Sequence, residues 1–191
     1  MLHGPLVSGI LKFALPFAAS SILQQMFNAV DVAVVGRFAS SEALAAVGAN
    51  TFLINLFINL FVGISVGANV VISNHIGQND DNRTRKAVHT TMILAVLSGF
   101  TMLVTGLLIA APVLVLMGTP ANVLSDSVLY LRRYMCGTPF FMIYNFEAAV
   151  LRSKGDTKRP LYILIVAGLI NTVLNLLFVI VFHKSVDGVA I

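Results

Sequence analysis

Residues 87–125 read AVHTTMILAVLSGFTMLVTGLLIAAPVLVLMGTPANVLS, 39 positions with no Asp, Glu, Lys or Arg. About 20 residues of helix cross a bilayer, and this run is longer. Its apolar residues run on instead of alternating, which predicts helix. Lipid offers the backbone no hydrogen bonds, so only helices and closed barrels span it. Residues 13–30, 43–79 and 160–183 are equally free of charge, and 134–146 is a fifth apolar stretch between Arg133 and Glu147. The predicted spans are 10–35, 46–74, 88–116, 124–150 and 160–183. The fourth is the weakest, because Arg132 and Arg133 fall inside it. Gly188–Ile191 reads as the first turn of a sixth span. The predicted fold class is all-α, a polytopic membrane helix bundle of five transmembrane helices plus the start of a sixth.

Composition excludes the other classes. Of 191 residues, 58% are apolar and 10% charged, against roughly 45–50% and about 25% in soluble domains. So few charges cannot coat a soluble fold of this size, and so apolar a chain is not disordered. The cations, although in excess by four, do not gather on one soluble face, so no nucleic-acid partner is expected. The single cysteine, Cys136, leaves no internal disulfide and no Cys-rich metal site. His3, His75, His89 and His183 lie near span ends without clustering, which argues against a metal centre. No nucleophile elbow, phosphate loop or zinc helix occurs, so no enzyme is expected and no cofactor is called for. The apolar run after Lys12 lacks a clear cleavage site and reads as a retained span rather than a signal peptide.

The charges set the orientation. Lys12, Arg83, Arg85, Lys86, Arg152, Lys154, Lys158 and Arg159 fall on one side of the predicted spans, Arg37 and Lys184 on the other. By the positive-inside rule the N-terminus and the 75–87 and 151–159 loops are cytoplasmic, in a multi-pass protein of the cell (inner) membrane.

Inside the spans, polar residues are few. Asp31 stands near the end of the first, within Val30-Asp31-Val32-Ala33. A carboxylate there is expensive unless paired, hydrated or protonated. Gln24, Asn28 and Asp31 are spaced four and three apart and share a helix face. The stripe reads as a cation or proton site facing a cavity, with Gln24 and Asn28 lining it. A structural hydrogen bond to a neighbouring helix, or an acid reaching the outer interface, is the alternative. Asn171 and Asn175 in the fifth span repeat the spacing and either coordinate a cation or glue helices. For Asn55 and Asn59 in the second span, glue is the preferred reading. Tyr130 and Tyr134 share a face, and spacing alone favours an interfacial belt. Glu147, five residues before Arg152, is expected in an ion pair or a cap. Pro16 falls within the first span and can bend it. Gly63 and Gly67 form a GxxxG pair that permits close helix contact.

Several segments together resemble the multidrug and toxic compound extrusion (MATE) family. In order they are Ala14-Leu15-Pro16, Val30-Asp31-Val32-Ala33-Val34-Val35-Gly36-Arg37, Gly63-Ile64-Ser65-Val66-Gly67-Ala68-Asn69, Gly137-Thr138-Pro139-Phe140, Leu151-Arg152-Ser153-Lys154-Gly155-Asp156-Thr157-Lys158-Arg159-Pro160 and Asn171-Thr172-Val173-Leu174-Asn175. The resemblance implies a secondary antiporter that exports small cationic or amphipathic compounds in exchange for sodium ions or protons, with two six-helix lobes. Residues 1–191 then form an incomplete N-terminal lobe, and the C-terminal lobe is missing from the chain. By position, Asp31 is similar to the family's first-helix coupling acid. Tyr130, Asn171 and Asn175 are similar to positions in its first-lobe cation cluster. Where many members carry a second acid in the fifth helix, this sequence has Asn175. That leaves one titratable acid, with amides as neutral oxygen donors, and excludes neither ion. A lipid-linked oligosaccharide flippase of the same superfamily and a non-transporting remnant are the competing readings. A flippase would be expected to carry a more cationic cavity.

Overall fold

The computed structural model describes residues 6–38 and 41–177, apart from the side chains at positions 6, 31, 35, 36, 38, 41–44, 46 and 175. The predicted sixth-span stub lies outside the described residues. Five helices follow one another: α1 Leu6–Phe38, α2 Ser41–Gly77, α3 Asp81–Leu116, α4 Ala121–Ser153 and α5 Lys158–Leu176. There is no strand among the described residues.

Helices α1, α2 and α4 outrun their predicted spans at both ends, and α3 outruns its span at the start while ending with it at Leu116. Helix α3 shows why. Its first turn is charged and was expected to be loop, yet Asp80 caps it by accepting the Arg83 backbone N–H at 2.9 Å. That cap supplies one of the partners a helix start lacks. The turn before it uses Asn79 at φ 55, a left-handed conformation that Asn tolerates well. Beyond α4, Gly155 at φ 83 reverses the chain before α5. Pro16, Pro112 and Pro139 all sit within continuous helix.

Among the described residues, three helices are long and apolar enough to cross a membrane: Val7–Val34, Val47–Gly77 and Asp81–Leu116. Helix α4 is not among them, since it carries Asp126, Arg132, Arg133 and Glu147. It is instead the most enclosed helix. Leu131, Met135, Met142 and Phe146 are fully buried, between α2 on one side and α3 on the other.

Small residues let α3 come close. Ala95, Gly99, Gly106 and Ala110 are buried on one face, with the larger Met102 between them. A Cβ on Gly99 would stand 2.5 Å from the Pro139 Cα, and one on Gly106 would collide with the Met135 side chain. Packing of small residues, rather than apolar burial from water, drives helix association in lipid. Gly63 and Gly67, the pair expected to do this, face open space. The sequence showed the motif but not which face of α2 is covered.

Helix α1 packs mainly on α5, where the Phe27 ring lies against Gly168 with no room for a Cβ. The bundle therefore consists of a trio, α2–α3–α4, and a pair, α1–α5. They also meet near the α1–α2 turn, where Val30 and Val34 join the apolar cluster that holds Val47.

Candidate functional site

Two amides fix α4 on α2. Asn50, fully buried, donates Nδ2–H to the Ser127 carbonyl at 2.9 Å. Asn69 donates to the Ala149 carbonyl at 2.8 Å. The pairing of 50 with 127 and 69 with 149 makes α2 and α4 parallel. Since α1 ends where α2 starts and α5 starts where α4 ends, α1 and α5 are parallel as well.

That direction matters for the sequence-predicted site. Phe27 meets Gly168, and Asp31 follows the one by four residues while Asn171 and Asn175 follow the other by three and seven. The backbone register thus brings positions 31, 171 and 175 to about the same depth along the α1–α5 pair, within two turns. The side chains of Asp31 and Asn175 lie outside the described residues; Asn171 is half-buried.

Tyr130 belongs to the other body. It is 7% exposed, part of the α4 core, with its ring centroid 6.2 Å from that of Tyr134. The interfacial-belt expectation fails for Tyr130, because α4 turns that face toward α2 and α3. Gln24 is half-buried and Asn28 exposed on α1.

The amides expected to glue α2 do not contact another helix among the described residues. Asn55 and Asn59 are exposed, and Asn59 donates to the Asn55 carbonyl of its own helix at 2.8 Å. They belong to a ridge, Thr51–Asn55–Asn59–Gly63–Gly67, exposed throughout. The neighbouring ridge, Phe52–Leu56–Leu60–Ile64, is equally exposed but bulky and apolar. Gln24 lies 14 residues before the end of α1 and Asn55 lies 14 residues after the start of α2, so α1 and α2 carry polar groups at about the same depth. The bridging amides Asn50 and Asn69 were missed at the sequence level. Their one signal was position, 19 residues apart on a long apolar helix.

At the basic end, α4 reaches the other helices. Tyr144 donates its hydroxyl to the Pro160 carbonyl of α5 at 3.1 Å. The Arg152 guanidinium stands 5.0 Å from the Phe17 ring centroid of α1, and its Nε donates to the Ala148 carbonyl at 3.2 Å. Arg152 lies two residues beyond the predicted fourth span. Burial lowers its pKa from the ordinary guanidinium value, and it remains a cation. Glu147 is exposed; the ion pairs at this end among the described residues are Asp80–Arg83 at 3.2 Å and Asp156–Arg159 at 3.1 Å. No group of three or more His, Cys, Asp or Glu side chains that could hold a metal ion occurs among the described residues.

Long apolar helices packed around an enclosed, more polar helix define a multi-pass membrane protein. The MatE family model matches residues 16–177, and the chain belongs to the MATE family. It is 35% identical over 162 residues to "Probable multidrug resistance protein YoeA" of Bacillus subtilis, covering 85% of this chain and 35% of the relative. It is 25% identical to "Probable multidrug resistance protein YpnP" of the same organism, covering 98% and 42%. Among solved structures, an outward-facing multidrug resistance MATE transporter of the MOP superfamily superposes with a TM-score of 0.88 at 25% identity, over 95% of this chain and 40% of that one. A MATE protein in a bent conformation gives 0.91 at 24% identity, over 98% and 42%, a likeness of fold. The chain thus spans about two fifths of the length of such proteins.

Proposed function

We propose that these helices are the first-lobe portion of an ion-coupled antiporter that exports small cationic or amphipathic compounds. Asp31 is its coupling carboxylate. Tyr130, Asn171 and Asn175 supply neutral oxygen atoms around the cation. Sodium ion and proton both suit one carboxylate among amides and a phenol. Cation binding at Asp31 and substrate occupancy of the adjoining cavity exclude one another, and alternating access rocks the lobes about it. Gln24 and Asn28 face that cavity.

The observation that carries this reading is the α1–α5 register, which sets position 31 level with positions 171 and 175. An acid at that depth is tolerated where it is paired or hydrated, and such residues mark ion pathways. The exposed amides of α2 support the same picture. An Asn facing lipid has no partner for its polar atoms, whereas one facing a hydrated cavity does. The basic end faces the cytoplasm of the cell membrane, by the positive-inside rule.

The test is Asp31→Asn in the full transporter, with fluorescent-dye efflux from cells and proteoliposomes under an imposed sodium or proton gradient. Surface expression should persist and coupled efflux should be lost. Normal extrusion by the variant sinks the proposal, and the gradient that drives the parent identifies the ion.

A further inference from the structure

We propose that Arg152 and Tyr144 form a latch that holds the α1–α5 pair against α4 at the basic end, and that opening this latch lets the pair swing about the apolar cluster of Val30, Val34 and Val47 at the other end. The two bodies meet at both ends but by unlike means. Where α1 ends and α2 begins the contact is apolar, with Val30, Val34 and Val47 in one cluster. At the basic end it is polar. The Arg152 guanidinium lies over the Phe17 ring, and the Tyr144 hydroxyl bonds the Pro160 carbonyl. Both links leave the last three turns of α4.

Those turns are themselves fixed to the trio. The Ala149 carbonyl accepts from Asn69 of α2, and Arg152 Nε–H bonds the Ala148 carbonyl of its own helix. The latch therefore has a firm side, α4, and a yielding side. Phe17 sits where α1 is softest. Pro16 cannot donate a backbone hydrogen bond, and the Ser20 and Ser21 hydroxyls bond the Pro16 and Phe17 carbonyls at 2.9 and 3.3 Å. Such back-bonding bends helices. A cation over an aromatic ring and a single neutral hydrogen bond are individually weak, so this end opens before the apolar end does. The four-residue turn 154–157, reversed at Gly155, covalently limits how far α5 travels from α4. The inference goes beyond the efflux reading and holds whatever compound is carried.

Distance measurements between paired spin labels on the full protein test it, with Cys136→Ser as background. Leu11→Cys with Ile93→Cys reports the basic end across the two bodies. Val32→Cys with Phe52→Cys reports the apolar end, and Val70→Cys with Ile93→Cys reports the trio alone. All these positions are exposed. Arg152→Gln, Phe17→Leu and Tyr144→Phe should each add a longer component to the first distance. The open fraction should rise roughly two- to thirty-fold for the first two variants, with the second and third distances unchanged. An unmoved basic-end distance in all three variants overturns the latch. So does parallel broadening of all three distances, which marks general loosening instead. Because the readout is a distance, a failed efflux assay leaves it intact.

Discussion

Adding one methyl group at Gly99 should separate α3 from α4, and the structure sets how much that costs. The new Cβ would lie 2.5 Å from the Pro139 Cα and 3.2 Å from its Cβ and carbonyl oxygen. Ordinary contact begins at 3.4 Å, so the helices must part by about 3.4 − 2.5 = 0.9 Å at that point. A gap of that order forfeits roughly a quarter to a half of the dispersion attraction of the contacts beside it. Overpacking of this kind costs about 1–3 kcal/mol. The upper end applies because the colliding atom is backbone. Alanine returns about 1 kcal/mol of helix propensity, leaving a net loss of about 2 kcal/mol. Two controls calibrate the reasoning. Gly106→Ala meets the Met135 side chain, its Cβ at 3.1 Å included, rather than backbone and should cost less than Gly99→Ala. Gly63→Ala meets nothing and should stabilise by up to about 1 kcal/mol. Unfolding midpoints of the purified protein in one detergent should rank Gly63→Ala above Gly106→Ala above Gly99→Ala. A Gly99→Ala variant as stable as Gly63→Ala would refute the close-crossing account.

Three further outcomes are expected. Asn50→Ala and Asn69→Ala should each lower stability by about 0.5–2 kcal/mol, and their effects should add because the sites are far apart; a double variant much worse than the sum refutes independent fastening. Asp80→Ala should cost about 1 kcal/mol through loss of the α3 cap, whereas Arg83→Ala should stay within about 0.5 kcal/mol because its exposed ion pair is worth little; equal losses in unfolding assays contradict this. With Cys136→Ser as background, a water-soluble maleimide should label Asn55→Cys and Asn59→Cys several times faster than Leu56→Cys and Leu60→Cys in intact membranes; equal rates deny the polar ridge of α2 access to water.

Helix number and order were legible because charge marks loops and its absence marks spans. The helix ends were not. Residues 81–86 look like loop by charge, yet Asp80 starts a helix there, a local capping bond that hydropathy does not register. Asp31 stood out in the sequence because an acid is costly in lipid, and its side chain lies outside the described residues. Which amides join helices was not. Asn55 and Asn59 have the more obvious four-residue spacing, while Asn50 and Asn69 make the bridges. Period identifies a shared face but not what covers it. The glycines repeat the lesson. The GxxxG pair in α2 is open, and the close approaches occur at Gly99, Gly106 and Gly168, whose spacings match no short motif.

The enclosure of α4 has a consequence for how the chain is made. Too polar to enter a bilayer by its own partitioning, α4 depends on an environment that earlier parts of the protein supply. Synthesis delivers α2 and α3 before it. The segment bearing Arg132, Arg133 and Glu147 thus packs against two helices that precede it in the chain. Asn50 and Asn69, about 28 Å apart along α2, wait there as the two receiving points. Without α4, the small-residue face of α3 would have nothing packed over Gly99 and Gly106.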